Sequence, residues 1–271
     1  MKTSPDLSTA STAKKSAFMF GLIAACGVLG GRTCSAETPT TRSLFEDTKL
    51  YATAPLRWES GDWMEFAGTV FALGIAHEFD PSVRHFFEPA GGQPLDGKDP
   101  NGTRDAIPAL ALLAGTWGFG VVAHDQAQRH EAWNMAEAAG FSAVDTILLK
   151  YISGRKRPNE TTSPDEWFAG GDSFPSMHVS AAFAIGTVFA ESGGEEHRWL
   201  RRSLGYGIAG LTAYARLHDN VHWFSDVAAG AAIGFSTARF VMHRDEESAK
   251  HSGFSVVPVD GGAMLTYWRV P

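Results

Sequence analysis

Lysine, arginine, histidine, serine and aspartate side chains recur at helix-like spacings in three segments of this chain, and as a set they suit the binding and transfer of a phosphoryl group. The segments are residues 150–158 (KYISGRKRP), 174–180 (FPSMHVS) and 216–226 (RLHDNVHWFSD). Lys150 and Arg157 stand seven residues apart, so a continuous helix would carry both on one face. Pro158 cannot continue a helix, which places Arg157 near its end. Arg216 supplies a third cation. Arginine offers a phosphate planar, bidentate donors, and lysine adds a point charge. Arg155 and Lys156 in the same stretch read as an ordinary solvated basic helix end, and that plain reading covers the whole segment when it is taken alone.

The middle segment has the pattern of a helix start. Ser173 fits an N-cap, Pro175 fits a first turn, and apolar residues follow over 179–190. A helix amino end presents unpaired N–H groups and partial positive charge to an anion, so the Ser176 hydroxyl and the Met177 amide would join a phosphate cradle. His178, one turn in, is placed to protonate a leaving oxygen. In the third segment His222 and Asp226 are four apart, neighbours on one face if both are helical. A carboxylate bonded to one ring nitrogen fixes the tautomer and leaves the other free to attack. Arg216 would lie on the loop leading into that helix. A capping serine with an incidental histidine, and a surface His–Asp pair, are the plain alternatives.

In this order the three segments resemble the signature of the type 2 phosphatidic acid phosphatase and vanadium haloperoxidase superfamily: K-x6-R-P, P-S-x-H, R-x5-H-x3-D. The stretch HWFSDVAAGAAIG is similar to that family's closing helix. Two positions depart from the usual pattern. Met177 stands where glycine is usual, and Ala215 where serine often precedes the arginine. The resemblance implies a metal-independent phosphatase working through a phosphohistidine. His222 would be the nucleophile, with Asp226 orienting it. His178 would act as general acid and then general base, while Lys150, Arg157, Arg216, Ser176 and Met177 would hold the phosphoryl oxygens. No cofactor is implied. Vanadate would act as an inhibitor, or as the cofactor if the chain were instead a haloperoxidase. A non-enzymatic envelope protein is a third reading. The expected partner is a phosphorylated small molecule or a lipid phosphate or diphosphate.

Upstream, Lys14 and Lys15 precede an apolar stretch over 16–31, and Cys34-Ser35-Ala36 follows. This is the pattern of a secretory signal peptide cleaved after Ala36, and it predicts a periplasmic protein with 37–271 as one domain. An uncleaved anchor and lipidation at Cys26 are the alternatives. Cleavage after Ala36 would leave a mature chain without cysteine.

The elements that must position the motifs read as an all-α bundle. Helices are predicted near 60–78, 105–124, 128–153, 175–192, 197–215 and 221–243, around a core of 105–243. A Gly- and Pro-rich loop over 88–104 and a C-terminal β-hairpin over 254–270 complete the chain. His124-Asp125 reads as a helix-end pair, His218 as a loop residue, and Trp167 and Phe168 as packing residues. Residues 106–123 are long enough to cross a membrane, yet the mean hydropathy of −0.12 favours a soluble bundle with at most peripheral membrane contact. A net charge of −7 gives no reason to expect nucleic acid as a partner.

Overall fold

The computed structural model describes the backbone of residues 44–88, 95–99, 101–259 and 262–269, and the side chains of 47–88, 95–99 and 101–244. The predicted leader over 1–36, Cys26 within it and the hairpin turn at 260–261 lie outside the described residues. Among the described residues eight α-helices follow one another: α1 (Leu44–Thr53), α2 (Ser60–Glu78), α3 (Asp80–Phe87), α4 (Gly102–Val122), α5 (Gln126–Ser153), α6 (Met177–Glu191), α7 (Arg198–His218) and α8 (Phe224–His251). Strands β1 (Ser252–Val259) and β2 (Gly262–Arg269) then pair antiparallel.

The all-α expectation therefore holds, with two helices added. Both α1 and α3 are short, and α3 carries Pro81 in its first turn.

Local chemistry sets the ends of the long helices. Glu59 and Asp62 form a reciprocal capping box at the start of α2. The Asp125 carboxylate accepts from the amides of Ala127 and Gln128 at 2.9 and 3.2 Å, which starts α5. Gly154, with φ of 51°, closes α5 in a left-handed cap and donates to the Lys150 carbonyl.

Helix α6 is the axis, packed by α5, α7 and α8, and its residues from Val179 to Ala190 are buried or half-buried. Small residues allow that approach. A Cβ on Gly186 would lie 2.5 Å from the Gly205 carbonyl oxygen of α7. A Cβ on Gly234 of α8 would lie 2.1 Å from the Ser180 oxygen of α6. One cluster, with Met135, Ile185, Val188 and Val241, fills the bundle. A second, of Leu149, Phe174, Ala229 and Ile233, underlies the end where the motif residues collect. Each fully buried Val, Leu or Ile contributes about 1.5–3 kcal/mol. Substituting Gly234 by any larger residue would force α8 off α6.

Candidate active site

The motif residues meet at one end of the bundle, where α5, α7, α6 and α8 respectively end, end, begin and begin. The route differs from the sequence reading in four places. Lys150 and Arg157 do not share a helix face, because Gly154 ends α5 and Arg157 lies in the loop beyond. Both reach Asp172 instead. Lys150 Nζ donates to its carbonyl and to that of Ser173 (3.3 Å for the latter), while Arg157 grips its carboxylate at 2.8 and 2.9 Å. Arg216 sits in the last turn of α7 and not on the loop after it. His222 precedes α8, and only Asp226 is helical. Ser173 does not cap α6. Its hydroxyl donates to Asp226, and Ser176 takes the N-cap position.

Asp226 is fully buried and fully engaged. Arg155 Nη1 donates to one oxygen at 2.6 Å, while the Ser173 hydroxyl and the Trp223 amide (2.9 Å) donate to the other. The gap from His222 Nδ1 to Asp226 Oδ2 is 3.6 Å, beyond hydrogen-bond range, and that nitrogen is buried without a hydrogen-bond partner among the described residues. Burial above all lowers the His222 pKa to about 3, with the cations Lys150 and Arg216 adding to the shift against the opposing pull of Asp226. The ring is therefore neutral in this arrangement.

Arg155 overturns the solvated-helix-end reading. Its side chain is wholly buried, bonded to Asp226, to Asp80 of α3 at 2.6 Å, to the Ser225 hydroxyl at 2.8 Å and to the Pro164 carbonyl. Trp167 stacks over its guanidinium at 4.3 Å. Asp80 in turn accepts from the Ser225 amide and hydroxyl, both at 2.7 Å. Sequence reading missed this network. A charged residue beside a glycine turn looks exposed unless the distant carboxylates that neutralise it are known.

The other two arginines face carboxylates that sequence reading also missed. Arg216 pairs with Asp105 at 3.0 Å and with both oxygens of Asp99, and Arg157 reaches Asp99 at 3.4 Å. Burial raises the Asp99 carboxyl, but the hydrogen bond and charge of Arg216 outweigh it and hold the group below its ordinary value. Arg216 Nε and the Ser176 hydroxyl are buried with no hydrogen-bond partner among the described residues. Met177 is partly exposed at the head of α6. His178 is half-buried, in electrostatic reach of Arg216, Asp99 and Asp105. His218 ends α7 and bonds Asp219, away from the motif positions.

Residues 131–249 match the model of the PAP2 superfamily. Over 133 residues the chain is 32% identical to the lipid A 1-phosphatase of Porphyromonas gingivalis, which covers 47% of this chain and 26% of that protein. Over 128 residues it is 32% identical to a PA-phosphatase related-family protein of Dictyostelium discoideum, covering 41% of this chain and 47% of that one. The chain thus spans less than half the length of either relative. Among solved structures, Aquifex aeolicus LpxE aligns with a TM-score of 0.39 at 20% identity, over 61% of this chain and 95% of that one. The transmembrane PAP2 type phosphatidylglycerolphosphate phosphatase of Bacillus subtilis aligns with 0.39 at 19%, over 86% and 96%. Residues 131–249, the part of this chain that matches the PAP2 superfamily, hold every motif position from Lys150 to Asp226.

Proposed function

We propose that the chain is a metal-independent phosphatase that removes a phosphate monoester from a lipid, through a phosphohistidine on His222. The observation that carries this reading is a buried, neutral His222 beside Lys150 and Arg216, at the amino end of α6. The Nε2 atom of His222 attacks phosphorus as the bond to the leaving alkoxide oxygen breaks, and His178 gives that oxygen its proton. His178 then takes a proton from water. The water oxygen attacks phosphorus, the P–N bond breaks, and His222 returns to its neutral form.

Lys150, Arg157, Arg216, the Ser176 hydroxyl and the Met177 amide hold the phosphoryl oxygens. Phosphoryl transfer depends chiefly on positioning and charge neutralisation, which cations and a helix amino end supply. The Asp226 carboxylate stabilises the imidazolium that forms on attack, with the ring closing the 3.6 Å gap. A phosphate entering the site would displace Asp99 from Arg157 and Arg216. The lipid class is supported by the Porphyromonas gingivalis relative, whose name assigns it lipid A. Export is part of the same reading, through the signal-peptide pattern that ends at Ala36.

The test is phosphate release by the full chain in detergent with EDTA present, from phosphatidic acid and p-nitrophenyl phosphate in parallel. Release from the lipid that orthovanadate blocks, with a 32P label trapped on histidine at acid quench, is the expected result. Activity that EDTA removes and added metal restores would overturn the metal-free mechanism. Release from p-nitrophenyl phosphate alone would overturn the lipid assignment.

A further inference from the structure

An anion already sits on two of the site's arginines, and the chain itself supplies it. Asp99 takes Arg216 as a fork, its two oxygens accepting from Nη1 at 3.1 Å and from Nη2, and it reaches Arg157 Nη1 at 3.4 Å. A phosphate would meet the Arg216 guanidinium in the same planar geometry. A carboxylate that only positioned Arg216 would be fixed in the interior, as Asp105 is: its side chain is 3% exposed and pairs with the same guanidinium at 3.0 Å. Asp99 differs. Its side chain is 20% exposed, and it ends a segment whose preceding residues, 95–98, are all exposed and belong to neither apolar cluster.

The segment is tied down on both sides of the site. The Gly97 amide donates to the Asn159 carbonyl at 3.1 Å, and the Asn159 side chain donates to the Lys98 carbonyl at 2.9 Å, so 97–98 lie on the loop that carries Arg157. Gly97 makes that crossing with φ of 64°, and a Cβ there would lie 3.3 Å from Glu160 Cγ. On the other side Asn101 Nδ2 donates to Asp219 at 2.7 Å, which ties the start of α4 to the end of α7, where Arg216 sits. Gly102 leaves room for the carboxylate itself, since a Cβ there would lie 3.0 Å from Asp99 Oδ2. The segment falls outside residues 131–249, in the Gly- and Pro-rich stretch that reads in sequence only as a surface loop.

We propose that residues 95–99 are a built-in inhibitor, a surface strap that seats Asp99 where the substrate's phosphoryl group binds and swings off when a phosphate takes its place. The inference rests on the phosphate site proposed above and adds a regulatory contact to it. Asp99 carries one negative charge against nearly two on a phosphomonoester, so the phosphate gains more from the two arginines and displaces it. Residues 95–98 add nothing to the apolar clusters, so release costs hydrogen bonds and no core burial. Closure after product leaves returns an anion to Arg216, a wholly buried cation.

The test locks the strap. In the full chain carrying C26S/C34S, which removes both native cysteines, G97C/E160C places two thiols within disulfide reach. The oxidised protein in detergent should bind inorganic phosphate about tenfold more weakly, or worse, than the same protein reduced with dithiothreitol, because a tethered anion holds the seat. Titration calorimetry reads the binding, and release from p-nitrophenyl phosphate should fall in step. Both forms lack the Glu160 bond to the Arg157 amide, so its loss cannot account for the difference. Adding Asp99→Asn to the oxidised protein should recover most of the affinity, since the blocking charge is gone while the strap stays closed. Gly102→Ala, which crowds the Asp99 carboxylate and leaves both arginines unchanged, should tighten phosphate binding about threefold at an unaltered melting temperature. Equal phosphate affinity in locked and reduced protein overturns the strap, as does weaker binding by Gly102→Ala. Phosphate binding that follows the lock in protein that hydrolyses no ester would sink the phosphatase reading and leave the strap standing.

Discussion

Two sets of arginine contacts lie within a few residues of each other and do different work. Arg155 is sealed: Asp80, Asp226, Ser225 and the Pro164 carbonyl account for its donors, and two tryptophan rings flank it. Arg157 and Arg216 are held by Asp99, Asp172 and Asp105 on one side, while Arg216 Nε, Ser176 Oγ and His222 Nδ1 have no hydrogen-bond partner among the described residues. The sealed set fixes Asp226 and the entry to α8. The open set retains capacity for an anion. Adjacent positions of one motif thus separate into scaffold and binding groups, according to whether the surrounding carboxylates use every donor.

The comparison can be broken from either side. His222→Ala, on the open side, should reduce lipid phosphate release by more than about four orders of magnitude, with unchanged circular dichroism, as loss of a nucleophile does. Arg155→Met, on the sealed side, leaves Asp80 and Asp226 buried without their cation, and should cost about 3–5 kcal/mol in denaturant unfolding. Arg157→Met should lose turnover instead, with stability nearly unchanged, so equal destabilisation by both would erase the distinction.

Asp226→Asn straddles the two sets. It should lower kcat by about 10²–10⁴-fold, the range of a displaced acid–base partner, with KM little changed. Activity at the wild-type level would remove the role given to that carboxylate.

Acid should act through the fold before it acts on the nucleophile. His222 titrates near 3 when folded and near 6.5 when unfolded, so below pH 6.5 the unfolded chain takes up a proton that the native site refuses. Stability should therefore fall as pH drops from 6.5 toward 3, with a slope approaching about 1.4 kcal/mol per pH unit from this group, and His222→Gln should remove that component in thermal melts.

The smallest effect belongs to Asp99. Asp99→Asn takes a negative charge from beside Arg157 and Arg216 and should tighten orthovanadate inhibition by about tenfold, as removal of a close like charge predicts. Weaker inhibition would mean that Asp99 holds the arginines in place and does not compete with the anion.

The sequence alone determined the six long helices and the motif. Lys150, Arg157, Ser176, His178, Arg216, His222 and Asp226 were legible because periodic apolar runs, proline and glycine stops and short-range spacing are local properties. Within HWFSDVAAGAAIG, read as similar to a family's closing helix, Gly230 and Gly234 press α8 onto α6.

Only the tertiary structure decided what those residues touch. The Gly154 cap moved Arg157 off the helix. Asp80, Asp99 and Asp172 came to the site from three separate parts of the chain, and Arg155 went from apparent solvent to a wholly buried cation beside it. Composition also hid which residues face outward, because hydropathy sums residues without regard to direction. Glu131, Glu137 and Asp145 lower the average of α5 whether they face water or the core. Which way they point depends on partners such as Arg201, Arg244 and Tyr51, contributed by other helices, and no local pattern encodes that pairing.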